Sequence, residues 1–255
     1  MKRFGFLLFA GLLGACAAPH LSSPAPAGQA DVKRRTDIRL ELATAYFTSG
    51  QAEVALQELN RALELSPRRA DVLGLRGLVL MQVGDSEAAG ESLRDALRIE
   101  PDNPSLQNNM GWILCQRGEF DKAMVYFERA LSTKSYASPE KALVNAGLCR
   151  LRQGQASQAE VFLRRALDAE PSNLQAHAGL ARLAYDRADY ARSRSHLLKV
   201  IESEQAVAEN FLMAVLIERK RGDAASEQSL LAQWRRRFPE SPQLTAYIRG
   251  ETDDK

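Results

Sequence analysis

The sequence predicts an all-α fold in which helix pairs repeat and stack into a solenoid. Three observations carry that expectation. The segments "GQAEVALQELNRALELSP" (50–67), "GDSEAAGESLRDALRIEP" (84–101), "GEFDKAMVYFERALSTKS" (118–135) and "GQASQAEVFLRRALDAEP" (154–171) follow one pattern at steps of 34, 34 and 36 residues. Small and large side chains recur in fixed columns within that pattern. No segment shows the strict alternation of a half-buried strand. A fixed period of this size marks stacked units, each too small to bury its apolar face alone.

The first element is a basic start, Met1-Lys2-Arg3, followed by the uncharged run Phe4 to Ala15. That run is too short for a helix spanning a bilayer of roughly 30 Å. It has the layout of a bacterial export signal, placed at 1–15. Two cleavage sites compete. Ala15-Cys16-Ala17 reads as a small-x-small site that would discard Cys16. Leu13-Gly14-Ala15-Cys16 resembles the lipoprotein box, which implies lipid on the Cys16 thiol and a mature chain beginning there. We expect the second: several acyl chains anchor firmly where one binds only marginally, and the Ala-, Pro- and Ser-rich stretch 16–35 has the composition of a flexible tether. Ala17 stands where aspartate, by resemblance to sorted lipoproteins, would favour the inner membrane. The outer membrane is therefore expected, with the chain on its periplasmic face. Loss of Lys2 and Arg3 takes the formal balance from +2 to zero, which argues against nucleic acid as a partner. Lys33-Arg34-Arg35 and Arg235-Arg236-Arg237 read as solvated surface. The first of these clusters could also lie near anionic head groups.

The repeats follow over 36–250: 36–69, 70–103, 104–139, 140–173, 174–207 and 208–241, with a capping helix at 242–249 and a tail at 251–255. In the first helix of each pair, Ala43, Gly77, Gly111, Gly147 and Ala181 form a small column that lets the partner helix approach. In the second, Ala55, Ala89, Ala123 and Ala159 do the same. Leu59, Leu93, Phe127, Leu163 and Leu197 are the large knobs four residues later. Ala62, Ala96, Ala130 and Ala166 share their face. Pro67, Pro101 and Pro171 close their units, since proline cannot continue a helix. This pattern matches the tetratricopeptide repeat. The 36-residue step implies a two-residue insertion near "SYAS". The fifth unit has Ser193, Val200 and Gln205 in place of Ala, Ala and Pro. The sixth keeps Gly222, Leu231 and Pro239 but has Glu227 and Trp234 in the alanine columns. End units of a stack are expected to be atypical. Ser241, Pro242 and Gly250 suit the cap, first turn and stop of the closing helix.

No catalytic, metal or phosphate-binding motif stands out, so no enzyme, small-molecule substrate, metal or cofactor is expected beyond covalent lipid on Cys16. His20 falls in the tether. His177 and His196 lie in successive helices of the fifth unit, with no other ligand at metal spacing, and read as ordinary surface or packing residues. Cys115 and Cys149 sit in neighbouring first helices. They are either a disulfide, possible in an oxidising compartment, or two buried thiols. They differ slightly in register, so geometry decides: Cα atoms beyond about 7 Å apart would rule the bond out.

The first helices should line a concave groove suited to extended protein segments. Helical spacing places Leu40, Phe47, Leu78, Met81 and Trp112 on it, with Leu148, Leu151 and Tyr185 further along. Phe47, Met81 and Trp112 would form an apolar path, which marks a partner site if exposed and inter-helix packing if not. Asn108 and Asn109 are expected to open the Trp112 helix, with Asn108 free to bond a partner backbone.

The segments "NNMGWILCQRGEFDKAMVYFERAL" (108–131), "YASPEKALVNAGLC" (136–149) and "RRRFPESPQLTAYIRG" (235–250) resemble the type IV pilus biogenesis/stability protein family known as PilW or PilF. The resemblance extends over the mature chain, including the lipoprotein box, the repeat number and the insertion. It implies a pilotin-like lipoprotein that helps the pilus secretin localise and multimerise in the outer membrane, or that stabilises the filament. The secretin and other pilus assembly proteins are the partners it implies. A general periplasmic scaffold, serving outer-membrane protein assembly or wall enzymes, is the alternative.

Overall fold

The computed structural model describes residues 27–251. The export signal expected at 1–15, the lipidated Cys16, His20 and the tail after residue 251 lie outside the described residues. Thirteen helices and no strand make up the described chain. They run α1 (Ala27–Thr48), α2 (Ala52–Leu65), α3 (Ala70–Gln82), α4 (Ser86–Ile99), α5 (Pro104–Gln116) and α6 (Phe120–Ser132). Next come α7 (Pro139–Arg152), α8 (Ala156–Ala169), α9 (Leu174–Asp186), α10 (Tyr190–Ile201), α11 (Ala208–Arg221), α12 (Ala224–Arg237) and α13 (Pro242–Ile248). No helix among the described residues is long and apolar enough to cross a membrane.

Local chemistry sets the helix ends. The side chains of Asp85, Asn103, Asn173, Asp189, Asp223 and Ser241 each accept a backbone N–H from the first turn they precede, satisfying donors that the helix leaves unpaired. Pro104, Pro139 and Pro242 occupy first turns, where a missing N–H costs nothing. Within a pair, the turn demands one left-handed residue. Gly84 supplies it at φ 90°, without steric cost. In the fifth pair Ala188 must do so at φ 59°, a strained conformation for a residue with a Cβ.

Each first helix packs on its second helix, and each second helix on the next first helix, so the chain stacks pair upon pair. First helices of successive pairs also touch, from α1·α3 through α7·α9. The small columns explain the closeness. A Cβ on Gly111 would meet the Phe127 ring at 2.7 Å and the Ala123 carbonyl oxygen at 3.1 Å. Leu59, Leu93, Phe127 and Leu163 are wholly buried, as are the alanines around them. The core is accordingly a chain of clusters along the stack rather than one centre.

Three expectations need correction. The stretch 16–35 is not a tether throughout, because α1 begins at Ala27. Asn108 and Asn109 do not open their helix. α5 starts at Pro104 behind the capping Asn103, which places both asparagines in its middle. In α12, Leu230 and Trp234 fill the interior while Leu231, the expected knob, is only half-buried. Trp234 stands in the column that Ala62, Ala96, Ala130 and Ala166 hold in the first four units, and like them it is wholly buried.

Candidate partner-binding face

The side chains expected on the first-helix face are all half-buried, apart from Asn108. Leu40 and Phe47 pack against the cluster built by Leu59 and its neighbours. Met81 and Trp112 pack against the next cluster, around Leu93 and Met110. Trp112 also touches the cluster holding Cys115 and Cys149. Leu148 and Leu151 join the third cluster, and Tyr185 joins the last, with its ring 5.6 Å from that of Tyr190. Leu78 is half-buried on α3 between them in register. The path from Phe47 through Met81 to Trp112 therefore serves packing with one side and faces outward with the other.

Asn108 does not fit the role expected of it. It is buried at 6% exposure, and its Oδ1 accepts a hydrogen bond from Asn145 Nδ2 at 3.0 Å. The pair joins α5 to α7, so the Asn108 carbonyl oxygen is committed within the stack. Cys115 and Cys149 form a disulfide across the same two helices, with Cα atoms 5.8 Å apart, inside the range a disulfide spans. Arg152 adds a hydrogen bond to Gln116. The middle of the face, carrying Trp112 and Leu148, is thus held by one covalent and two polar ties.

Ion pairs join the first two units. Arg69 reaches Asp37 at 2.8 Å and Asp71 at 2.5 Å. The hydrogen bond from Arg69 holds the Asp71 carboxyl below its ordinary range, and the two carboxylates raise Arg69 in turn. Glu58 is paired with Arg39 and Arg61, both at 2.6 Å. Near the other end the buried Glu218 is held by Arg194 at 2.7 Å and by Arg221. These carboxylates are all engaged in structural pairs.

Two features were missed from the sequence. His177 and His196, expected only as ordinary surface or packing residues, are hydrogen-bonded to each other through their Nδ1 atoms at 2.9 Å. Among the described residues no group of three or more His, Cys, Asp or Glu is placed to hold a metal ion. The most exposed large apolar residues lie off the expected path. They include Ile38 and Leu42 on the outer side of α1, and Val125 and Val161 on α6 and α8. The four-residue spacing of Ile38 and Leu42 on α1 was the available signal.

Comparison with known proteins agrees with this architecture. Tetratricopeptide-repeat family models match residues 40–104 and, separately, 80–135 and 150–215. No curated protein matches the chain. Among solved structures, PilW, described as a widely conserved type IV pilus biogenesis factor, is similar at 29% identity and a TM-score of 0.73. The match covers 84% of this chain and 98% of that one. PilF of Pseudomonas aeruginosa is similar at 22% identity and a TM-score of 0.71, over 87% of this chain and 100% of that one. YrrB, a repeat protein with an unusual peptide-binding site, is 16% identical with a TM-score of 0.52, over 75% of this chain and 97% of that one. The last two matches speak to the fold. The described chain is an all-α tetratricopeptide-repeat solenoid, an architecture that generally serves protein–protein interaction rather than catalysis.

Proposed function

We propose that this chain is a non-catalytic assembly factor for type IV pili, acting as a pilotin for the pilus secretin. Lipid on Cys16 holds it at the periplasmic face of the outer membrane. The first-helix face, with the apolar path of Phe47, Met81 and Trp112 along its first three repeats, receives an extended segment of the secretin or of another pilus assembly protein. The observation that carries this reading is the similarity to PilW over nearly the whole of that chain. The box Leu13-Gly14-Ala15-Cys16 at the end of a short apolar run supports the anchor. The face fits the role physically. Half-buried aromatic and aliphatic side chains on a rigid backbone bind at small entropic cost, because they are already ordered.

The test is the amount of heat-resistant secretin multimer in outer membranes with and without the gene. Multimers should vanish on deletion, return with the wild-type gene, and fail to return with Cys16→Ser, which should leave a folded but unanchored protein. Normal multimers with unstable pili would move the role to the filament. No effect on either would sink the pilus reading and favour a general envelope scaffold.

A further inference from the structure

Two joints of the stack carry equivalent side chains and differ in one instructive position. Between repeats two and three, α4 and α6 flank a cleft floored by α5. Arg94, Arg117, Glu119 and Lys122 line it over Met110, Leu114 and Tyr126. Two repeats further on, α8 and α10 flank the equivalent cleft over α9, where Arg164, Arg187, Asp189 and Arg192 take the same register positions. Each joint therefore has three cations and one acid at the turn.

The difference lies on the second helix of the preceding repeat. In the later joint Glu160 extends from α8, and its carboxylate is gripped by Arg164 at 2.6 Å and Arg187 at 2.5 Å. In the earlier joint that register position is Gly90. A Cβ there would lie 3.3 Å from Arg117 Nη1 and 3.4 Å from Arg94 Nη1. Two guanidinium groups thus converge on a spot that Gly90 leaves without a carboxylate from α4; the acid nearest to them is Glu119, which engages Arg117 directly and Arg94 only through its field. Arg117 is paired through its Nε to Glu119 at 3.0 Å, and the other Glu119 oxygen takes Lys122 at 2.8 Å. Arg94 acts on Glu119 through space and makes no direct ion pair with it. Space follows the same pattern: the later cleft has about 30 Å³ free, the earlier about 310 Å³. Glycine is also less favourable than alanine within a helix, so local helix stability does not explain it.

We propose that this cleft binds an aspartate or glutamate side chain from an acidic segment of a partner protein, seated between Arg94 and Arg117 as Glu160 is seated between Arg164 and Arg187. The internal carboxylate of the later joint shows what chemistry the pair of forks accepts, and guanidinium groups bind carboxylates at two points. The floor of Met110, Leu114 and Tyr126 takes an aliphatic neighbour of that acid. The site lies between second helices, away from the first-helix face, and stands whether or not the pilus reading holds.

The test uses the mature chain with Cys16→Ser and a fluorescein-labelled Glu-Leu-Glu-Glu peptide, followed by anisotropy at physiological salt. The peptide should bind, and Arg94→Gln should weaken it about tenfold, the scale of one charged hydrogen bond. Gly90→Glu supplies the missing carboxylate from within. It should abolish binding while leaving the thermal midpoint unchanged or higher. Arg165→Gln, an exposed arginine of α8 outside the cleft, should leave binding as in the wild type. Absence of binding, equal affinity in Gly90→Glu, or equal losses from Arg94→Gln and Arg165→Gln would overturn the proposal. So would displacement of the peptide by an equal concentration of inorganic phosphate.

Discussion

His177 shows how much a single contact decides. Its side chain is 2% exposed, and its Nε2 donates to the Pro171 carbonyl oxygen at 3.1 Å. Its Nδ1 must then accept, so His196 Nδ1 donates to it at 2.9 Å. Charging His177 would set two N–H groups against each other. Burial lowers the pKa of both rings, and for His196 the neighbouring His177, Lys199, Arg164 and Arg192 lower it further. Glu160 and Asp189 also line the His196 cleft, engaged with arginines. The sign follows from linkage. The unfolded chain takes up these protons near the ordinary histidine value of about 6.5, while the folded chain resists until lower pH. Stability is therefore fully present above about 6.5 and is lost as the pH falls toward the folded values. The urea midpoint should be flat near neutrality and fall between about pH 6.5 and 5, before carboxylates titrate. Replacing both rings with glutamine should flatten that fall, and an equal slope in the two proteins would remove the pair as its cause. Nothing in the sequence announced this contact. The rings are 19 residues apart, on two helices whose facing depends on the pair turn. The alanine columns were legible for the opposite reason, since their spacing alone puts them on one face.

At the scale of elements, α5 and α7 are the most firmly joined pair of first helices. They share the Cys115–Cys149 disulfide, the Asn108–Asn145 hydrogen bond and the Arg152–Gln116 bond. The disulfide closes a loop of 34 residues, for which chain entropy sets a stabilisation of about 4 kcal/mol as an upper scale. Reduction, or Cys115→Ser with Cys149→Ser, should lower the thermal midpoint by several degrees and leave the helical signal at room temperature intact. An unchanged midpoint under dithiothreitol would show that the tie adds nothing to stability. Where the sequence misled about elements, the signal was present but outweighed. "DNPS" carries an N-cap asparagine followed by proline, the strongest start signal near α5, and it outranks Asn108 and Asn109, which lie inside the helix. The early start of α1 was hidden by composition. "AGQADVKRR" contains good helix formers, but its neighbours upstream are prolines and serines. Leu231 kept the right column, but the much larger Trp234 fills the interior beside Leu230, and residue volume is not a matter of spacing.

The whole molecule is close to one-dimensional: each pair contacts mainly its neighbours, and the core is a series of clusters. Stability in such a stack is approximately a sum of unit terms and nearest-neighbour terms, so damage should stay local. The sixth unit is the place to test this. It ends the repeats with glutamate and tryptophan where the first four units have alanine, and α13 covers it. Trp234 is wholly buried against Tyr247, with ring centroids 5.8 Å apart, and Glu227 accepts the Tyr247 hydroxyl at 2.8 Å. Trp234→Ala should cost about 3–5 kcal/mol, the usual loss for removing a buried tryptophan. In a single cooperative core that loss would appear at every protected amide. Here native-state hydrogen exchange should show protection falling in α11, α12 and α13, less in α10, and not at all in α3 through α6. The disulfide between α5 and α7 reinforces the boundary, since it holds the middle of the first-helix face together independently of the C-terminal units. The same variant should then still bind whatever the Trp112 region binds, with its weakened end unfolding first. Uniform loss of protection from α3 to α13 would refute the one-dimensional account and make the stack one cooperative unit.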